Sequence, residues 1–371
     1  MKFILAFTLS FIFSQAFSQL IIISGKVVNA ETGAPMQGAS VFAQNTTLGT
    51  STDNSGNFKL YLPEGGYDII VTFTGFNSAS KRITTSDMND RDLSFQLKLE
   101  EKQMADIAVV STSEVKDGWE KYGDFFLSEF IGNTENSALC MIKNKETLRF
   151  FYYKRKNRLK VISDVPVIIE NNALGYNIRY KLDSFTHEYA TKVSVSSGSP
   201  LFEEMVTSDL NQLQKWSDAR NKAYNGSILH FMRSIYNREL TGNGFEVQFI
   251  VNVNESEQAV KVTDFYSAMN YAKDDSTQTV EIKPNQQNVG VIYIKEKPSS
   301  EYLKSRENEP SGFQYSMLNF LPGESIIIEK NGYYFEQNDI TINAYWTWEK
   351  VADLLPYDYQ PVISAHTENT Q

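Results

Sequence analysis

Residues 52–62 read TDNSGNFKLYL, a turn followed by a strand. In the second half of this stretch, every second residue is apolar, which is the period-two pattern of a strand with one buried face. Asp53 fits the first position of a type I turn, and Gly56 fits the fourth, where it can adopt a positive φ. The stretch therefore predicts a tight turn that leads into a half-buried strand.

The acidic and amide side chains of this turn also raise the possibility of a calcium loop. An EF-hand that began at Asp53 would need glycine at its sixth position for the sharp bend, and Phe58 stands there. Phe58 is also the first inward residue of the following strand. We therefore predict a structural hairpin turn and no metal site.

The same alternation recurs between turn signals from residue 20 to residue 99. Six or seven short strands within about 80 residues predict a small β-sandwich. The last strand has the clearest pattern, with one apolar face made of Leu93, Phe95, Leu97 and Leu99.

The stretch GKVVNAETGAPMQGASVFAQNTTLGTSTDNSGNFKLYLPEGGYDIIVTFTGF carries a dense set of motifs. These are GKVV at 25–28, TGxP at 32–35, GASV at 38–41, TDxxGxF at 52–58, LPxGxY at 62–67 and GF at 75–76. The stretch resembles the carboxypeptidase-regulatory-like domain, a transthyretin-like sandwich of exported proteins in Bacteroidetes-type bacteria. The resemblance implies a seven-strand sandwich without peptidase activity, of the kind that precedes the plug in many TonB-dependent transporters.

The family name does not make the protein a carboxypeptidase. A zinc carboxypeptidase binds its metal through two histidines and a glutamate, the first pair spaced His-x-x-Glu. None of the three histidines has a glutamate three residues later; they are His187, His230 and His366.

The first 18 residues predict a secretory signal peptide. Lys2 precedes an apolar run at 3–13, and a small-x-small site at 16–18 places cleavage before Gln19. The run has about half of the ~20 residues that a membrane-spanning helix needs. We therefore expect a secreted protein that does not span the membrane and lies in the periplasm or at the outer membrane or cell surface.

The net charge argues against one class of partner, and the cysteine content excludes one kind of crosslink. The formal net charge is −10, and it becomes −11 without Lys2, which argues against nucleic-acid binding. Cys140 is the single cysteine, so no intramolecular disulfide can form. Its apolar neighbours predict a small buried side chain and not a nucleophile.

We predict four segments in the chain. The signal peptide (1–18) and the sandwich (19–101) come first, and a linker (102–118) then leads to a larger β-rich α+β domain (119–371). The fold class is therefore mainly β with some α. Segments such as FLSEFIGNTENSALC and AYWTWEKVADLLPYDYQP are similar to uncharacterised exported Bacteroidetes proteins, and this resemblance implies no chemistry.

Local patterns predict several elements of the larger region. An aromatic stripe at helical spacing predicts a core-facing helix. The stripe consists of Trp119, Tyr122, Phe126 and Phe130. A carbohydrate-binding platform is the alternative interpretation of these four residues. Ser227 can cap a helix with His230 beside its apolar stripe, partly buried or exposed. Asn331-Gly332 between apolar runs predicts a hairpin.

A basic cluster predicts a second hairpin, with Lys156-Asn157 at its solvated tip. A contact of this tip with an acidic polymer stays open. The cluster consists of Lys154, Arg155, Lys156, Arg158 and Lys160.

The sequence lacks the common catalytic and nucleotide-binding motifs, and we assign no catalytic, cofactor-binding or metal residues. Acidic pairs occur at 203–204 and 274–275. A glycosidase needs two carboxylates about 5 or 6.5–9.5 Å apart, which sequence cannot reveal.

These observations predict an exported, non-enzymatic binding or structural module of the bacterial cell envelope. Its expected partner is an envelope protein or a polysaccharide. Two alternatives remain: an envelope glycan hydrolase that uses paired carboxylates, and an accessory to a TonB-dependent outer-membrane transporter.

Overall fold

The computed structural model describes residues 20–84, 92–100, 113–306 and 308–362. The predicted signal peptide lies outside the described residues, as do most of the predicted linker and His366. The strands are β1 Ile21–Asn29, β2 Ser40–Ala43, β3 Gly49–Ser51, β4 Asn57–Leu62, β5 Tyr67–Thr72, β6 Ala79–Ile83, β7 Asp92–Leu97, β8 Cys140–Ile142, β9 Leu148–Tyr153, β10 Arg158–Ser163, β11 Val167–Asn171, β12 Tyr176–Glu188, β13 Val193–Glu204, β14 Phe245–Val253, β15 Ser256–Lys261, β16 Ala272–Asp274, β17 Thr279–Ile282, β18 Asn288–Tyr293, β19 Gln314–Phe320, β20 Ile326–Ile328 and β21 Ile340–Ala344. The helices are α1 Gly118–Phe130, α2 Leu210–Tyr224, α3 Ile228–Tyr236, α4 Leu240–Asn243, α5 Phe265–Ala268 and α6 Ser300–Ser305.

The predicted seven-strand sandwich is confirmed. One sheet has the order β4-β1-β7 and the other has the order β3-β2-β5-β6. Their apolar faces form a single core that includes Phe58, Leu60 and Leu62, as the alternation predicts. The prediction for Leu99 is wrong: β7 ends at Leu97, so Leu99 lies beyond the core layer and is 46% exposed.

The opening turn forms as predicted. Gly56 has a φ of 76° and donates its N–H to the carbonyl of Asp53 at 3.0 Å. The Asp53 carboxylate accepts the N–H groups of Asn57 and Ser55, both at 2.8 Å. These hydrogen bonds, the one from Asn57 first, lower the pKa of Asp53. The side chain of Asp53 thus stabilises the turn itself.

A second core lies between α1 and a six-stranded sheet. This sheet has the order β8-β11-β12-β10-β9, and β13 pairs with the free side of β12. Phe126 and Phe130 of α1 are buried in this core, while Trp119 and Tyr122 pack against it and are partly exposed. The aromatic stripe therefore serves mainly as core packing.

A third core surrounds α3. The five-stranded sheet β15-β14-β18-β19-β21 and the three-stranded sheet β16-β17-β20 enclose this helix. Ser227 caps α3, since its hydroxyl accepts the N–H of His230. All nine positions of α3 except Ile228 are buried, so the predicted apolar stripe understates how far the helix is enclosed.

The sandwich contacts the larger region through polar groups. The Asn331 side chain exchanges two hydrogen bonds with the backbone of Gly66, and the Tyr333 hydroxyl donates to Asp68 at 2.6 Å. Thr46 and Leu201 form a parallel bridge, which places the sandwich against the edge strand β13. The predicted Asn331-Gly332 turn therefore reaches another part of the chain.

Within the described residues, none of the helices has the length and apolar character needed to cross a membrane.

Candidate functional site

A cleft of about 1020 Å³ lies beside the C-terminal end of β13. We call it the glutamate cleft, after the four carboxylates that line it: Glu135, Glu170, Glu203 and Glu204. Between them lie amide side chains, including those of Asn172 and Asn177, and apolar side chains that face solvent. Val206 is 98% exposed and Leu139 is 56% exposed. The lining therefore offers hydrogen-bonding groups and apolar surface together.

Ion pairs hold three of the four carboxylates. Glu135 pairs with Lys222 at 3.0 Å. Glu170 pairs with Lys143 at 3.0 Å, and Glu204 pairs with Arg220 at 3.2 Å. All three pairs are at least partly exposed, so each contributes about 0–1 kcal/mol to stability. Each of these three carboxylates therefore has a cation within 3.2 Å that offsets its charge.

The floor of the cleft is built from α2 and the turn before β12. The indole N–H of Trp216 donates to the Asn172 carbonyl at 2.9 Å, and a Cβ at Gly175 would collide with the indole ring. Arg220 donates to the carbonyls of Leu174 and Gly175. Trp216 is only 7% exposed, so it supports the floor and does not present a ring to a ligand.

The acidic pair at 203–204 thus lies at a cleft, but its two members differ. Consecutive strand residues point to opposite faces of a sheet. Glu204 is held by Arg220, whereas Glu203 makes no ion pair with the described residues. The other acidic pair, at 274–275, lies at the exposed turn between β16 and β17, where Asp274 accepts hydrogen bonds from Ser276 and Thr277.

Glu296 and Asp353, whose carboxyl groups have a raised pKa, do not line the glutamate cleft, although Asp353 contacts the lining residue Asn136. Burial raises the pKa of Glu296, although Asn225 and Gln314 donate hydrogen bonds to it. Burial also raises the pKa of Asp353, which accepts hydrogen bonds from Thr134 and Asn136. Sequence reasoning missed both residues, because their burial depends on contacts between distant segments.

The two histidines that the structure describes lie in different elements, β12 and α3. His187 lies in β12 beside Ser194, and burial lowers its pKa. His230 is 7% exposed, which is more buried than predicted, because β14 and β18 enclose α3. Burial, followed by the charges of Lys295 and Arg233, lowers the pKa of His230 to about 4.

Cys140 is partly buried and its thiol donates to the Asn136 carbonyl at 3.4 Å. Burial raises its pKa to about 12, so the thiol is protonated at neutral pH and is a poor nucleophile.

Within the described parts of the chain, no group of three or more His, Cys, Asp or Glu side chains is arranged to hold a metal ion.

The predicted basic hairpin also forms. β9 and β10 pair antiparallel, and Asn157 at their turn has a φ of 46°. Lys154, Arg155 and Lys156 are exposed at this turn, whereas Arg158 pairs with Glu188.

Comparison with known proteins bears on the sandwich. Residues 23–109 match the family model described as the CarboxypepD_reg-like domain. The N-terminal sandwich is a carboxypeptidase-regulatory-like domain. Over 66 residues the chain is 42% identical to the TonB-dependent receptor SusC of Bacteroides thetaiotaomicron. That match spans 18% of this chain and 6% of the receptor, so it concerns one domain of a much longer protein.

Solved structures add no argument about the whole fold. A 3-chlorocatechol 1,2-dioxygenase from Rhodococcus opacus 1CP is 14% identical over 22% of this chain and 60% of its own, with a TM-score of 0.19. A protein of unknown function from Bacteroides fragilis NCTC 9343 is 11% identical over 87% of this chain and 97% of its own, with a TM-score of 0.16. Both scores are too low to indicate a shared fold.

Proposed function

We propose that the protein is an exported, non-enzymatic binding module of the bacterial cell envelope. The observation that carries the proposal is the carboxypeptidase-regulatory-like sandwich, whose sequence is similar to part of a TonB-dependent receptor. Fold similarity does not establish function, so the proposal needs support from a site. The glutamate cleft supplies a concave surface of a size suited to a ligand or a peptide segment.

The finer proposal is that the module is an accessory to a TonB-dependent outer-membrane transporter. The polar contacts between Gly66 and Asn331 and between Asp68 and Tyr333 orient the sandwich relative to the cleft. A partner that binds the sandwich would thereby also meet the cleft in a defined orientation.

The test is fractionation of cells that produce the tagged full chain, followed by crosslinking and identification of partners. We expect the protein in the envelope fraction, crosslinked to an outer-membrane protein. Glu203→Lys would reduce a crosslink that depends on the cleft, and Glu257→Lys, an exposed charge reversal on β15, is the matched control. Recovery in the cytoplasm, or crosslinks to no envelope component, would contradict the proposal.

A glycan hydrolase is the second candidate, because Glu203 and Glu204 both line the cleft. We favour a non-enzymatic module because these exposed acids lie on one strand, so their side chains leave opposite faces of it. Purified protein should therefore release no sugar from envelope polysaccharides. Release that disappears in both Glu203→Gln and Glu204→Gln would instead establish the hydrolase.

A further inference from the structure

We propose that one end of the six-stranded sheet binds an acidic polysaccharide, independently of the glutamate cleft. This end, which we call the basic tip, consists of the turn 154–157 between β9 and β10 and the turn 189–192 between β12 and β13. The Tyr189 N–H donates to the Asn157 carbonyl at 3.1 Å and joins the two turns. The two turns therefore present a single surface.

The basic tip carries exposed positive charge, and the nearby Glu188 is already paired with Arg158. Lys154, Arg155 and Lys156 are consecutive and exposed, and none of them makes an ion pair with a residue that the structure describes. Lys192 is exposed on the neighbouring turn. This local positive charge favours an anionic partner at the tip, although the chain as a whole has a net charge of −10.

Aromatic rings adjoin these charges. Tyr122 and Tyr152 stack with their centroids 6.1 Å apart, and Tyr189 meets the edge of Tyr152 at 6.1 Å. The Tyr152 hydroxyl donates to Asn157 Oδ1 at 2.6 Å, which ties the ring to the turn. All three tyrosines are partly exposed. The exposed parts of tyrosine rings suit the C–H faces of a sugar, while neighbouring cations suit its carboxylates.

Two other anionic partners fit this surface less well. Duplex nucleic acid carries one charge per about 1.7 Å of its axis, which is denser than one carboxylate per sugar, so the acidic remainder of the chain repels it more strongly. A membrane surface is bound by cations together with large apolar side chains that insert into it. The two turns expose no such side chain, and the nearest exposed aliphatic residue is Val193 at the start of β13. An acidic polysaccharide uses both the charges and the rings.

The experiment measures binding of the full chain to polygalacturonate, with neutral dextran as the uncharged comparison. The test variant is Lys154→Gln/Arg155→Gln/Lys156→Gln. The matched control is Lys59→Gln/Lys283→Gln/Lys304→Gln, which removes the same charge from dispersed exposed sites. We expect a loss of affinity of roughly tenfold in the test variant, little change in the control, and weaker binding at higher salt.

A second variant, Tyr189→Leu, keeps an apolar contact with Phe125 but removes the ring. We expect it to weaken polygalacturonate binding by about threefold while all cations remain. Equal affinities for the two triple variants would overturn the proposal. So would tighter binding to phosphatidylcholine vesicles that contain phosphatidylglycerol than to polygalacturonate, because that result would indicate a lipid surface.

Discussion

The interior of the sandwich and its contact with the larger region are stabilised in different ways. The interior is apolar, and the described residues that form it lie between positions 21 and 97. The contact instead depends on directed hydrogen bonds, such as those of Asn331 with Gly66 and of Tyr333 with Asp68. An apolar core tolerates substitutions that conserve volume, whereas a buried polar contact fails when one partner is removed. We therefore expect single substitutions to lower the stability of this chain most where distant segments meet.

The largest expected effect is at Arg233, which lies behind the contact. Arg233 is 7% exposed and donates to the backbone carbonyls of Asn331, Tyr359 and Tyr357 at 2.8–3.0 Å. Arg233→Met would leave three carbonyls without a donor, and we expect a loss of about 4 kcal/mol in the free energy of unfolding. Denaturant titration measures it. The exposed Arg306→Met is the control, and equal stability of the two variants would show that the contact is not sensitive in this way.

Within the sandwich, the corresponding sensitive position is Gly56. A Cβ there would lie 2.5 Å from the Val27 carbonyl, and the φ of 76° disfavours a branched side chain. We expect Gly56→Val to destabilise the protein by about 3 kcal/mol. Gly33→Val is the control, because Gly33 also has a positive φ but open space around it, so only the backbone strain remains.

The prediction that the turn at Asp53 and Gly56 is not a metal site can be tested with calcium. Calcium should leave the melting temperature of the unmodified protein unchanged, since Asp53 already accepts backbone N–H groups. A melting temperature that rises with calcium and falls with a chelator would contradict the interpretation of this stretch as a structural turn.

In the larger region, His230 makes stability depend on pH. Its pKa is about 4 in the folded protein, and an unfolded histidine has a pKa of about 6.5. Between these values the unfolded chain binds the additional proton, so stability is lost as the pH falls from about 6.5 to about 4. The expected loss is roughly 3 kcal/mol.

The measurement compares denaturant titrations of the unmodified protein and His230→Phe at several pH values in this window. The variant should be less stable at neutral pH, because the Gly226 N–H loses its acceptor at His230 Nδ1. Its stability should nevertheless change less with pH. Identical pH profiles would assign the acid sensitivity to other groups.

The sequence predicted those features that depend on residues close together in the chain. The turn at Asp53 and Gly56 needs only its own side chain and backbone, and the alternation in β4 directly records one buried face. The position of Asn331-Gly332 in a turn was equally clear. Its contact with Gly66, 265 residues earlier, was not, because no periodic pattern records a hydrogen bond between distant segments.

The candidate site was less predictable for the same reason. The acidic pair at 203–204 is visible in the sequence, but the cleft also requires Glu135 and Trp216 from two other elements. Likewise, His230 and Asp353 are buried by strands and turns far away in the chain. At Leu99 the sequence predicted burial that the structure does not show, since an alternating pattern can continue after the core layer has ended.

Among the substitutions, the smallest expected loss of stability isolates the contact itself. Asn331→Asp keeps the side-chain oxygen that accepts from Gly66 N–H but replaces the Nδ2 group that donates to Gly66 O at 3.0 Å with a second acceptor. We expect a loss of about 2 kcal/mol, because a carbonyl is left unpaired opposite a carboxylate. Lys330→Gln, which removes only the exposed pair with Glu64, is the neighbouring control and should cost less than about 1 kcal/mol. If Asn331→Asp cost no more than Lys330→Gln, the Asn331 amide would contribute no more than an exposed ion pair to holding the sandwich. That result would contradict the view that buried hydrogen bonds stabilise the contact between the sandwich and the larger region.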